Sequence, residues 1–100
     1  MTDISNQNIG YDISSSDSNV TRFIEVKGRG DTGDIELTQN EMNKAKECGN
    51  NYFLYVVFNI NSDYPNLYIV QNPANKLNAS FDSYNKKYIV SKYEISNFKV

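Results

Sequence analysis

Two opposite charges spaced two residues apart in an apolar run, Glu25 and Lys27 within Val20 to Gly30 (VTRFIEVKGRG), are the residues of this chain best placed to do chemistry. Side chains on a strand alternate faces, so Phe23, Glu25 and Lys27 project to one side while Ile24 and Val26 point to the other. A carboxylate and an amine then stand side by side. Asp12 is the third candidate. It lies in Ile9-Gly10-Tyr11-Asp12-Ile13, whose alternation of apolar with small or polar residues predicts a half-buried strand. Paired as an antiparallel hairpin, the two strands bring Asp12 towards the Glu25 end of its partner. Carboxylates on adjacent strands can share a divalent cation, and Mg²⁺ takes one or two carboxylates together with waters and substrate oxygens. Such an ion lowers the pKa of a bound water and offsets charge on a phosphate. Lys27 would orient or deprotonate that water, or pair with the phosphate as a point charge. The Val26 carbonyl would complete the metal shell, and the reaction that suits the set is phosphodiester hydrolysis. Taken alone, an E-x-K on a strand is more often a solvent-facing ion pair. Asp12 on the neighbouring strand and the glycines that follow Lys27, which let a large ligand approach, argue for a site.

Composition narrows the alternatives. One hundred residues with 39% hydrophobic content bury one core, so residues 1–100 read as a single domain. A net charge of -2 and a pI near 5.0 provide no overall field for nucleic acid or an anionic membrane, so such a contact needs a local patch. Histidine is absent and Cys48 is the single cysteine, which removes Ser-His and Cys-His nucleophiles, His- or Cys-based zinc sites and any internal disulfide. A lone cysteine, no apolar run of membrane-spanning length and a polar N-terminal stretch lead to the expectation of a soluble, cytoplasmic protein.

The elements that must position these residues follow from local signals. Ser14 to Asn19 is a turn by composition, and Val20 to Lys27 the second strand. Gly28 to Asp34 reads as a flexible loop, and Ile35 to Leu37 as a brief extended piece. Thr38 and Glu41 form the T-x-x-E of a capping box opening a helix over 39–48, with Met42, Ala45 and Cys48 inward, Lys44 and Lys46 outward, and Gly49 as its stop. Asn51 to Ile60 is the most apolar run and predicts a central strand covered on both faces. After the Pro65 turn come a hairpin-linked strand at Leu67 to Gln71, a short helical piece near Ala74 to Leu77 and a strand near Tyr88 to Val90. A last helical turn is capped by Ser91 with Glu94 as its reciprocal partner. The sum is an α/β domain with a mixed sheet and helices packed on it. Arg29 between two glycines is a candidate phosphate contact, and Gln39 at a helix N-terminus a candidate anion contact. Loop solvation for the first and simple capping for the second are the competing roles.

Asp3-Ile4-Ser5, Gly10 to Ser14 (GYDIS), Arg22 to Gly28 (RFIEVKG), Leu37 to Glu41 (LTQNE), Tyr52 to Val57 (YFLYVV) and Asn72-Pro73 together resemble the C-terminal domain of the plant NO VEIN protein and its prokaryotic relatives, over roughly residues 3–75. That family is regarded as similar to the PD-(D/E)XK, or restriction-endonuclease-like, nucleases. The resemblance implies Asp12 as the first acid, Glu25 as the second and Lys27 as the lysine, with Mg²⁺ or Mn²⁺ as cofactor. It also implies a mixed sheet flanked by helices, here lacking the usual N-terminal helix, so that the expectation is a domain either truncated at its N-terminus, completed by a helix from a neighbouring chain, or able to do without it. DNA or RNA is the expected ligand. A second copy, or a helicase, ATPase or restriction component of a defence system, is the expected partner. The alternative within the same fold is a non-catalytic nucleic-acid-binding or assembly module.

Overall fold

The capping signals and the apolar runs build two sheets around one core. A computed structural model describes residues 13–17 and 20–100, with side chains described from residue 21 onward. Along the chain the elements are β1 (Ile13–Asp17), β2 (Val20–Gly28), β3 (Ile35–Thr38), α1 (Gln39–Cys48), a 3₁₀ turn (Gly49–Asn51), β4 (Tyr52–Phe58), β5 (Asn66–Gln71), α2 (Pro73–Lys76), β6 (Ser80–Asp82), β7 (Lys87–Val90), α3 (Lys92–Ile95) and a closing 3₁₀ turn (Ser96–Phe98).

The larger sheet runs β1-β2-β4-β5 and the smaller one β3-β7-β6. In the larger sheet β1 is antiparallel to β2, with Ile13 opposite Ile24 and Asp17 opposite Val20. The β2–β4 pair is parallel, with Glu25 opposite Leu54 and Lys27 opposite Val56. Parallel neighbours need a crossover connection, which β3 and α1 supply. The antiparallel β4–β5 pairing follows from the short turn between them. The smaller sheet is antiparallel throughout.

One face of the larger sheet makes the core. Tyr52, Leu54, Val56 and Phe58 from β4 and Tyr68 and Val70 from β5 are buried, together with Ile35 and Leu37 of β3, Met42 and Ala45 of α1, Leu77, Val90 and Ile95. The smaller sheet and α1 therefore cover the same face from which Glu25 projects.

Several expectations are corrected. Ser14 to Asp17 is strand and not turn, because the β1–β2 ladder runs through the serines to its end at Asp17 opposite Val20. In β4 buried and half-buried residues alternate, so Phe53, Tyr55 and Val57 are only partly covered and the strand is not enclosed on both faces. A single mixed sheet becomes two, since β3, β6 and β7 pair with one another and not with β4. Ser91 does cap α3 through the Tyr93 amide, but the Glu94 carboxylate accepts from the Asn78 N–H at 2.9 Å, so the reciprocal half of that box is not made. Lys44 is not on an outer face, as its ammonium lies 4.7 Å from the centre of the Phe23 ring.

The loop after β2 is organised by hydrogen bonds. The Arg29 N–H donates to the Val57 carbonyl at 2.9 Å and the Ile60 N–H to the Arg29 carbonyl at 3.0 Å, which joins the loops at the carboxyl ends of the two parallel strands. Gly28 packs closely there: a Cβ at that position would sit 2.9 Å from the Ile60 Cδ1, so the exposed Ile60 side chain would have to shift.

Candidate active site

Strand alternation delivers what the spacing predicts. Glu25 and Lys27 emerge from the same face of β2, with the Lys27 Nζ 3.4 Å from the Glu25 Oε2. Glu25 is 4% exposed and is the one buried charged residue among the described side chains. A buried carboxylate is tolerable only when paired and hydrogen-bonded. Val26 points to the opposite face and is 40% exposed, so it can serve the site through its carbonyl alone. Asp12 lies outside the described residues.

A third charged group enters from α1. Glu41 is the third residue of the helix, and its Oε1 and Oε2 accept from the Lys27 Nζ at 2.9 and 3.0 Å. The same Oε1 accepts from the Thr38 N–H at 2.8 Å, while the Thr38 hydroxyl accepts from the Glu41 N–H at 3.1 Å, which is the capping box the sequence predicts. Sequence reasoning assigned Glu41 to capping and missed its reach to Lys27. A signal for it was present: Glu41, Ala45 and Cys48 fall at helical spacings on one stripe, so the stripe that buries Ala45 also turns Glu41 towards the sheet.

The electrostatics follow from that crowding. Burial pushes the Lys27 amine down, but the hydrogen bonds to Glu41 and the nearby Glu41 and Glu25 carboxyls outweigh it and raise its pKa above the ordinary 10.5. Burial likewise pushes the Glu41 carboxyl up, yet the Thr38 amide and the Lys27 ammonium hold it below its ordinary 4.5. Lys27 is thus an ammonium donor, able to orient a water or pair with an anion but not to remove a proton at neutral pH. Beside it opens a recess of about 210 Å³ lined by Lys27, Gly28, Arg29, Asp34, Ile35 and Glu36.

The outer candidates are placed differently. Arg29 lines that recess, but its guanidinium is engaged with Asp31 Oδ1 at 2.9 Å and the Asp34 carbonyl at 3.1 Å and lies against Gly33, stapling its own loop. Gln39 is exposed at the first position of α1 and lines a separate recess of about 230 Å³ with Thr38, Asn40 and Lys86. Asn72, singled out with Pro73, is structural: it adopts φ 58°, donates its N–H to the Tyr52 carbonyl and its side-chain amide to Asn50 Oδ1.

Residues 1–70 match the family described as Protein NO VEIN, C-terminal. The chain belongs to that family. No curated protein and no solved structure matches it. In this NO VEIN C-terminal domain, no cluster of three acidic, histidine or cysteine residues able to hold a metal ion occurs among the described residues. Among the described candidates the Glu25 carboxylate and the Val26 carbonyl are oxygen donors, the chemistry a hard divalent ion such as Mg²⁺ accepts, whereas both oxygens of Glu41 are taken up by Lys27 and Thr38. No helix among the described residues of the domain is long and apolar enough to cross a membrane.

Proposed function

We propose that this NO VEIN C-terminal domain is a restriction-endonuclease-like, PD-(D/E)XK-type module that acts on the phosphodiester backbone of DNA or RNA. The observation that carries the proposal is the buried Glu25 with Lys27 beside it on the same face of a central strand, at the rim of an open recess. Asp12, Glu25 and the Val26 carbonyl would hold a Mg²⁺ or Mn²⁺ ion, which supplies a water of lowered pKa and offsets charge at the phosphate. The proposal requires the β1–β2 ladder, described to Ile13 opposite Ile24, to continue by one residue. Cross-strand partners share a face, so that step would set Asp12 beside Glu25. Lys27 contributes as a fixed ammonium, donating to a phosphate oxygen or to the attacking water. Burial around Glu25 keeps competing water away from it and strengthens both charges. A defence or restriction setting, with a helicase, ATPase or restriction component as partner, is part of the same proposal.

The test is to incubate the purified protein with plasmid DNA, single-stranded DNA and single-stranded RNA in the presence of Mg²⁺ or Mn²⁺, alongside Asp12→Ala, Glu25→Gln and Lys27→Ala. Metal-dependent cleavage lost by about a hundredfold or more in each variant is the expected result, in line with removing a group that stabilises transition-state charge. Equal cleavage by the variants, or no cleavage with either metal, would remove the catalytic claim.

One observation favours the second function, a non-catalytic binding or assembly module of the same fold. Lys27 is held by both oxygens of Glu41, an arrangement that would serve as a purely structural ion pair. Nucleic-acid affinity that is indifferent to metal and unaffected by Glu25→Gln would select it.

A further inference from the structure

We propose that Glu41 is the positioning residue for Lys27, so that the capping box opening α1 also fixes the site's lysine. Three contacts converge on one carboxylate: Lys27 Nζ at 2.9 Å on Oε1 and 3.0 Å on Oε2, and the Thr38 N–H at 2.8 Å on Oε1. Thr38 ends β3 in the smaller sheet and Lys27 belongs to β2 in the larger one, so a single side chain ties the two sheets together at the site.

A lysine has a long stem with four rotatable bonds, and left to itself its ammonium samples many positions in water. Glu41 removes that freedom. A carboxylate that receives an amine on both oxygens sets direction as well as distance, and the backbone N–H of Thr38 in turn fixes the carboxylate. The ammonium is thereby held 3.4 Å from Glu25 at the edge of the recess shared with Gly28 and Arg29. An ammonium has three donors. With Glu41 accepting on both oxygens and Glu25 3.4 Å away, the two carboxyls together fix where that ammonium stands beside the recess. The value of this for phosphoryl chemistry rests on the function proposed above, but the positioning itself does not.

The two roles of Glu41 can be separated. Gln is accepted at the third position of a capping box, so Glu41→Gln keeps the helix cap while removing the charge that holds the ammonium. Thr38→Val does the reverse, losing the cap hydroxyl while leaving Glu41 opposite Lys27. The readout is the rate at which a small amine-reactive reagent labels Lys27, mapped by peptide mass spectrometry, with the exposed Lys86 of the same molecule as internal standard. Neither nucleic acid nor metal is present, so the outcome is independent of any nuclease activity.

In the unsubstituted protein Lys27 is expected to be labelled about tenfold or more slowly than Lys86, and Glu41→Gln to abolish most of that protection, the size of effect that goes with losing a charge-assisted hydrogen bond. Thr38→Val is expected to lower the melting temperature while leaving the Lys27 rate within about twofold of the unsubstituted protein, because hydroxyl caps act on the helix end. Equal labelling of Lys27 and Lys86 in the unsubstituted protein overturns the proposal whatever the variants do. So does equal release of Lys27 by both substitutions, which would make the effect one of helix fraying.

Discussion

At the scale of single residues, Glu25 is the position where the chain departs most from what folding alone would choose. Taking a carboxylate out of water costs several kcal/mol, and a neighbouring ammonium offsets this only when the geometry is good. Glu25 has 4% of its surface exposed and sits on the face that forms the core. Lys27, with Glu41 behind it, supplies the compensation. Replacing Lys27 with Met keeps the length and packing of the side chain but leaves the two carboxyls facing each other. The expected cost is about 2 kcal/mol, seen as a melting temperature roughly 10 °C lower at neutral pH for a domain of this size. A shift of under a couple of degrees would mean that the charges are held apart by packing and owe little to the lysine. The shared face of Glu25 and Lys27 was legible in the sequence because a strand's period of two is a local property. Glu41 was not, because its contact with Lys27 joins residues 14 positions apart and depends on where the helix crosses the sheet.

Among the elements, α1 and β4 mark the two ends of what local pattern can carry. The observed helix, Gln39–Cys48, has the bounds its signals predict, since Thr38 and Glu41 close a capping box and Gly49 ends it, all within one short stretch. Gly49 takes φ 55° and ψ -121°, a backbone that L side chains rarely adopt, and a Cβ there would meet nothing within 4 Å. Gly49→Ala should therefore cost only backbone strain, about 1–3 kcal/mol. Chemical denaturation would register this as a lower midpoint with an unchanged slope, and a neutral result would mean that the helix end shifts to absorb the residue. In β4 the uninterrupted apolar run concealed an alternation: Tyr52, Leu54, Val56 and Phe58 are buried, whereas Phe53, Tyr55 and Val57 are half-buried. Periodicity is blind to that difference when both sides carry apolar residues. Strand β6, three residues long, exists only by pairing with β7, and Ser80-Phe81-Asp82 holds no local signal for it. The second sheet was unreadable for the same reason.

For the molecule as a whole, the ion cluster at the junction of the two sheets makes stability depend on pH at both ends of the scale. Glu41 has a pKa below its ordinary 4.5 in the folded state, so its contribution is present above 4.5 and is lost as the pH falls through the lower folded value. Lys27 has a folded pKa above 10.5, so its contribution is present below 10.5 and is lost as the pH rises through the higher one. Other groups also add to the acid limb. The carboxyls of Asp31, through the Arg29 side chain, and of Asp82, through the Asn85 side chain, are lowered as well. These lie away from the junction, and they cancel when two proteins that share them are compared. The informative quantity is accordingly the difference in urea midpoint between the unsubstituted protein and Glu41→Gln, followed across pH. That difference should be at its largest within the window between 4.5 and 10.5. It should shrink below this window, where Glu41 in the unsubstituted protein takes up its proton. Above the window, where Lys27 gives up its proton, it should shrink again. A difference that persists unchanged into acid would show that the substitution disturbs packing, not charge. One that shrinks only in acid would place the partner of Glu41 elsewhere than Lys27. Loss at both limbs is the signature of a carboxylate and an ammonium holding two sheets together at the one place where the described chain has buried a charge.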